Sequence, residues 1–242
     1  MRSQPKAKKE GLFLLIPFLF LTTFLTFKTF KKVNFQDISI IGSKFFSIED
    51  IVNNSSLNFP TPLIFVKTKY NERELIKNLS LKNVSIQRQL LPFGLRILIK
   101  TRTPIAFGER ILKGKKITGY IDEDGFFIFE KYVDKGSLKK FSTKVFGWKE
   151  NSRDVFSKIL DYQKNNDVEF VKINLAPNGF LSLEEKSLKT ILLGFNVKII
   201  ETQLQLISDI KTQIRFNNTI FERIDNIDLS DPSNPKIKVF KP

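Results

Sequence analysis

The chain has 242 residues, with no cysteine and no histidine, and its 40 Lys plus Arg against 25 Asp plus Glu give a formal net charge of +15. The missing cysteines exclude disulfides, thiolate nucleophiles and cysteine metal sites; the missing histidines exclude Ser-His-Asp and Cys-His catalysis and histidine zinc sites. The basic residues are scattered rather than massed in one arm, the pattern of a solvated surface, so no nucleic-acid partner is expected.

Residues 1–10 form a basic, polar tail, with Arg2, Lys6, Lys8 and Lys9 against Glu10. Gly11 to Phe30 follows as GLFLLIPFLFLTTFLTFKTF, and Leu12 to Phe27 carries no charge. Twelve Leu, Phe or Ile residues in that run, at roughly −0.3 to −0.6 kcal/mol each, favour insertion by about −4 to −7 kcal/mol. Pro17 and three threonines subtract from this. Twenty residues rise roughly 30 Å, the hydrocarbon thickness. No small residues stand at a cleavage spacing, so the run reads as an uncleaved single transmembrane helix over 11–30 rather than a signal peptide. Four Lys or Arg before the run and three after it leave the positive-inside bias near a tie.

Val33 to Ile41 alternates as a strand and stops at Gly42. Ser47 with Asp50 three residues on is a helix start. Pro60 and Pro62 punctuate a loop. Asn71 with Glu74 marks a second helix carrying Leu75, Ile76 and Leu79. Two alternating runs then meet at a Pro-Phe-Gly corner. Ile86, Arg88 and Leu90 share one face of the first run, and Leu95, Ile97 and Ile99 share one face of the second. Pro92 and Gly94 supply the turn chemistry, and Thr103-Pro104 ends the second run. The order over 33–103 is β-α-α-β-β: a small sheet with one face under two helices.

Past Pro104, Ile117 to Phe129 reads as a hairpin turning at Asp124-Gly125. A calcium loop over the same acids would place Tyr120 and Lys131 at ligand positions, and neither serves. Arg153 to Asn165 and Glu201 to Ile214 are amphipathic helices. Val168–Leu175, Phe180–Leu183, Lys189–Leu193 and Lys236–Phe240 are strand-like. The expected fold class is therefore α+β: a single N-terminal transmembrane helix, then a β-α-α-β-β domain, then a mostly antiparallel β domain over 104–242 with two flanking helices.

The order of these residues resembles one known family. Ile86-x-Arg88, Pro92, Leu95-x-Ile97-x-Ile99 and Arg102-x-Pro104-x-Ala106 are similar to the end of the POTRA domain in the FtsQ/DivIB cell-division family. Ile121-Asp122-x-x-Gly125 resembles the first hairpin of that family's β domain. Ile224 to Leu229, ending Ile227-Asp228-Leu229, resembles its marker before the last strand. The sequence departs from the pattern in a longer gap between Arg88 and Pro92, in Thr101 where a Glu is usual, and in Ser230 where an Arg is usual.

The resemblance implies a non-catalytic divisome scaffold at the septal inner membrane, N-terminus cytoplasmic and bulk extracytoplasmic. It implies recruitment through the POTRA region at Arg88, Pro92, Leu95 and Pro104, although Pro92 and Leu95 could equally only build the hairpin. It implies partners of the FtsB/FtsL (DivIC) type, acting indirectly on FtsW and FtsI. The receiving strand would be Lys236, Ile237, Lys238, Val239 and Phe240, with Ile237 and Val239 on one face and the other three opposite. No catalytic residue, metal or cofactor is expected. Two other readings stand beside it. A POTRA component of a secretion or outer-membrane insertion system would need a barrel or a tandem array. A membrane-anchored hydrolase would use two of Asp122, Glu123, Asp124, Glu184 and Glu185.

Overall fold

The computed structural model describes residues 7–112, 114–133, 141–216 and 224–239. The chain divides into two compact units, Met1–Thr101 and Arg102–Pro242. The boundary falls just before the Arg102-x-Pro104 run, so Pro104 belongs to the second unit.

The first unit opens with helix α1 (Ala7–Phe30). The expected transmembrane helix over 11–30 is corrected here: among the described residues no helix is long and apolar enough to cross a membrane. Helix α1 opens with the charged residues Lys8, Lys9 and Glu10. Pro17, Thr22, Thr23, Thr26, Lys28 and Thr29 also interrupt its apolar run. Of the basic tail, residues 1–6 lie outside the described residues.

The strand read over Val33–Ile41 is two pieces, β1 (Lys32–Val33) and β2 (Ile38–Ile41), parted by a 3-10 turn over Phe35–Asp37. The Asn34 amide donates to Asp37 Oδ2 at 2.9 Å, which favours the turn over continued extension. β1 pairs with β3 (Thr61–Pro62). Helix α2 (Ile48–Asn53) begins at a capping box, with the Asp50 amide on Ser47 Oγ and the Ser47 amide on Asp50 Oδ2. Helix α3 (Thr68–Asn78) starts three residues ahead of Asn71. Asn71 is buried inside it, its side-chain amide bonded to the Lys67 carbonyl.

Strands β4 (Asn83–Leu90) and β5 (Phe93–Lys100) form the hairpin, and β2 joins β5 in parallel, giving the order β2-β5-β4. Leu95, Ile97 and Ile99 are buried with Ile38, Ile51, Leu75 and Leu79. Glu72 of α3 accepts the Ile86 amide at 2.8 Å, fastening the helix to β4.

The second unit contains strands β6 (Pro104–Leu112), β7 (Lys115–Asp122), β8 (Phe127–Phe129), β9 (Lys144–Phe146), β10 (Phe170–Leu175), β11 (Leu181–Glu185), β12 (Lys189–Gly194), β13 (Ile224–Asp228) and β14 (Lys236–Val239). They form one sheet in the order β14-β13-β12-β11-β10-β9-β6-β7-β8. The two expected helices are present, but the sheet expected to be mostly antiparallel is a large mixed one. β9 runs parallel to both β6 and β10, and β12 parallel to β13. The physical reason is the helices: α4 (Arg153–Asn165) connects β9 to β10, and α5 (Ile200–Phe216) follows β12 and precedes β13. A helical crossover returns the chain in the same direction.

Phe156, Ile159 and Leu160 of α4 and Leu204, Ile207, Ile210 and Ile214 of α5 bury against Val145, Phe170, Ile173, Leu183, Ile191 and Ile227. Two buried polar anchors hold α5 down. Gln203 donates to the carbonyls of Leu193 and Leu229 at 2.8 and 2.7 Å. Lys211 reaches Glu185 Oε1 and the Asp167 carbonyl, each at 2.7 Å. Glu185 Oε2 also accepts the amides of Ser187 and Leu188.

Burial pushes the Glu185 carboxyl up, but Lys211, Ser187 and the Leu188 amide outweigh it and hold it below the ordinary carboxylate range. A depressed acid contributes stability above its unfolded-state pKa and loses it as pH falls through the folded value. Glu185→Gln is expected to destabilise the full chain at pH 7 by about 3 kcal/mol, since Lys211 is left buried without its counter-charge. In urea titrations in mild detergent, the gap from the parent protein should narrow below about pH 4.

Candidate partner-binding edge

Strand β14 is the last strand of the nine-stranded sheet, and among the described residues its only strand neighbour is β13. The register sets Ile237 opposite Ile227, Val239 opposite Ile224, Lys238 opposite Asn226 and Lys236 opposite Asp228. Directly opposed residues of an antiparallel pair share a face. Ile237 and Val239 therefore continue the face on which Ile224 and Ile227 are buried. Yet each is 46% exposed, against 0% and 1% for their β13 partners. The apolar layer of the core runs out onto the edge strand and stays half uncovered there.

A bulge makes this register possible. Asp225 and Asn226 together oppose Lys238, so Ile224 and Ile227, three apart, both point inward. Asp225 uses the bulge to reach Lys238 Nζ at 3.5 Å. The lysines lie on the opposite face from Ile237 and Val239. Phe240, the remaining residue expected in this strand, lies outside the described residues.

The connection into β14 is fixed by two aspartates. Asp228 Oδ1 accepts the Ser230 amide at 2.9 Å and its hydroxyl at 2.6 Å; Asp231 Oδ1 does the same for Ser233 at 3.1 and 2.6 Å. Leu229 is buried, its amide on the Leu192 carbonyl and its carbonyl held by Gln203. The Asp228-Leu229 pair thus sets where β14 starts. Ser230 serves that turn. Gln203 escaped the sequence reading, although a glutamine on the apolar face of α5, one turn before Ile207, was a signal of a buried polar tie.

The residues expected to form a recruitment surface are distributed differently. Arg88 is exposed on β4 and donates through Nη2 to the Val66 carbonyl at 2.5 Å. Pro92 is exposed in the β4–β5 turn. Leu95 is only 1% exposed, between Ile38 of β2 and Arg88 of β4, so it is a core residue rather than part of a surface. Pro104 begins β6 in the second unit, opposite Asp122.

The acidic residues weighed as catalytic are held in structural pairs. Asp122 Oδ2 accepts from Arg102 Nη1 at 2.6 Å and Oδ1 accepts the Phe126 amide, while Asp124 sits 3.2 Å from the same guanidinium. Burial pushes the Asp122 carboxyl up, more than Arg102 and the Phe126 amide pull it down. Glu184 pairs with Lys172, and Glu123 lies 3.8 Å from Lys164. Asp122 on β7 and Glu185 on β11 are four strand positions apart. At about 4.8 Å per strand that is roughly 19 Å, beyond the separation two glycosidase carboxylates use. Among the described residues no group of three or more acidic side chains is placed to hold a metal ion.

No family model matches this chain, and no curated protein matches it.

Hydrogen bonds from Ser230 first, with Lys236 adding to them, hold the Asp228 carboxyl below its ordinary range. Asp228→Ala is expected to loosen the start of β14, losing about 1 kcal/mol of local stability. Amide hydrogen exchange over residues 236–239 should accelerate about fivefold, with α4 unchanged. Because the carboxyl is depressed, the parent protein should show the same loosening only as pH falls through the low Asp228 value.

Proposed function

We propose that this protein is a non-catalytic scaffold of bacterial cell division, working at the septal membrane with its folded units outside the cytoplasm. On this reading the second unit receives a segment of a small partner of the FtsB/FtsL (DivIC) type, and through that partner influences septal wall synthesis by FtsW and FtsI. The first unit plays the part of a POTRA domain, with Arg88 and Pro92 on its exposed side as the recruitment residues. Membrane association comes through the exposed apolar surface of α1.

One observation carries the reading: among the described residues the outer edge of β14 has no strand neighbour, and Ile237 and Val239 beside it are half exposed. An edge strand offers unpaired amides and carbonyls to which an extended segment adds as a further strand. Here that segment would also cover an apolar strip continuous with the core. Lys236 and Lys238 on the other face deter indiscriminate pairing and favour an acidic segment, at roughly 0.2–1 kcal/mol for each opposed pair. The order of motifs from Ile86 to Leu229 supports the same reading.

The test uses two variants. Pro235 precedes the strand, where proline removes no ladder bond, whereas proline within β14 removes a donor. Val239→Pro, and separately a chain ending at Pro235, should each abolish co-purification with the small coiled-coil partner. Both should leave thermal unfolding nearly unchanged, because every residue of β14 is exposed. Binding retained by both variants would place the partner elsewhere on the second unit.

A further inference from the structure

Aromatic and cationic side chains meet at the C-terminal end of α1. Phe30 packs edge-on against Phe65 at 6.4 Å between centroids. Lys31 Nζ lies 4.7 Å from the centre of the Phe93 ring, and Lys28 Nζ lies 5.8 Å from it and 5.5 Å from that of Phe24. The Leu63 amide donates to the Lys31 carbonyl at 3.1 Å, so the turn bearing Phe65 is tied to the helix end. These rings are not core. Phe30 is 55% exposed, Phe65 64% and Leu91, beside Phe93 in the β4–β5 turn, 75%.

This collar continues the surface of α1. Leu15, Ile16, Phe18, Leu19, Phe20 and Leu21 are all exposed. At about 100° per residue these positions face every side of the helix, whereas one partner helix covers a single stripe. The hydroxyls of Thr22, Thr23, Thr26 and Thr29 all donate to carbonyls of the same helix, which suits an apolar surrounding. An apolar surface this large is covered in the working molecule. The lysines set among these rings fit a lipid surface with anionic headgroups better than a second apolar chain.

We propose that Lys28, Phe30, Lys31, Phe65, Leu91 and Phe93 form a lipid-facing surface of the first unit that rests on anionic phospholipid. The lysine ammonium groups meet headgroup phosphates, and the rings and Leu91 enter the boundary between headgroups and acyl chains. Aromatic rings and snorkelling lysines both favour that depth, and each basic residue near an anionic surface adds about 1 kcal/mol. The surface thereby fixes which side of the first unit faces the membrane. The inference rests on the membrane association proposed above.

The test is tryptophan quenching in the full chain reconstituted with vesicles of phosphatidylglycerol and phosphatidylcholine brominated near the ester end of the acyl chains. The single natural tryptophan, Trp148, is buried and supplies an unquenched baseline. Phe65→Trp and Leu91→Trp are expected to add emission that brominated lipid extinguishes. Val171→Trp, on an exposed position of β10, adds emission that survives. Lys28→Glu combined with Lys31→Glu should restore emission at position 65. Quenching of a Phe20→Trp chain without quenching at 65 or 91 would keep the membrane association and overturn the lipid-facing collar. No quenching at any position, with the chain floating free of vesicles, would overturn the membrane association itself and the collar with it. A vesicle-free dimer in sedimentation, its α1 protected, would assign the same surface to a second copy and overturn both.

Discussion

Three residues join the two halves of the large sheet. Lys144–Phe146 pair in parallel with Phe107 and Gly108 on one side and with Lys172, Ile173 and Asn174 on the other. Without β9 the β6–β7–β8 hairpins and the β10–β14 ribbon would be separate layers with two raw edges. So short a strand holds its place through its flanks. The Thr143 carbonyl accepts the Phe107 amide, and its hydroxyl donates to the Phe170 carbonyl at 2.8 Å. Val145 is fully buried between the halves. At Gly147 the backbone turns into positive φ, and a Cβ there would collide with the Leu175 carbonyl, so only glycine lets the chain leave β9 toward α4.

The remaining architecture follows from that junction. With β9 central and parallel to its neighbours, α4 must cross over one face, and α5 repeats the manoeuvre between β12 and β13. Both helices cover the same core, and the antiparallel turn after β13 then sends β14 to the outer edge. The outer edge at β14 is thus a product of topology. It is the place where two crossovers and a return turn leave a strand with one neighbour among the described residues.

The buried charges position elements more than they add stability. Arg102 is sandwiched by the Phe126 ring, 3.5 Å from its centre, and bonded to Asp122 at the far end of β7. Burial raises the Asp122 carboxyl despite that partner, so desolvation offsets much of the attraction. The pair fixes where the chain enters the second unit. Glu185 and Lys211 are different, because three further donors complete the carboxylate and leave it favoured as an anion.

Much of the local structure was legible in the sequence. The Ser47–Asp50 capping box, the Asp124-Gly125 turn and α4 over Arg153–Asn165 are written in local chemistry: cap hydroxyls, a residue without a Cβ, and apolar side chains at helical spacing. The alternation of Leu95, Ile97 and Ile99 likewise announced a buried face. Strands β6 and β9 were not legible. β6 is interrupted by Gly108, Glu109 and Arg110 and does not alternate cleanly. β9 has three residues, too few for a period. Parallel against antiparallel pairing was also out of reach, since it depends on which strands the helices bring together. The apolar run of α1 suggested a span that the helix does not supply. Leu95 looked like a member of a surface motif because a motif records spacing and not which way a side chain points. The sequence by itself determined which residues prefer water, which turn and which cap. Only the tertiary structure decided that Ile237 and Val239 extend a core face onto an edge strand, because their exposure depends on which strand pairs with β14 and on where that pair falls in the sheet.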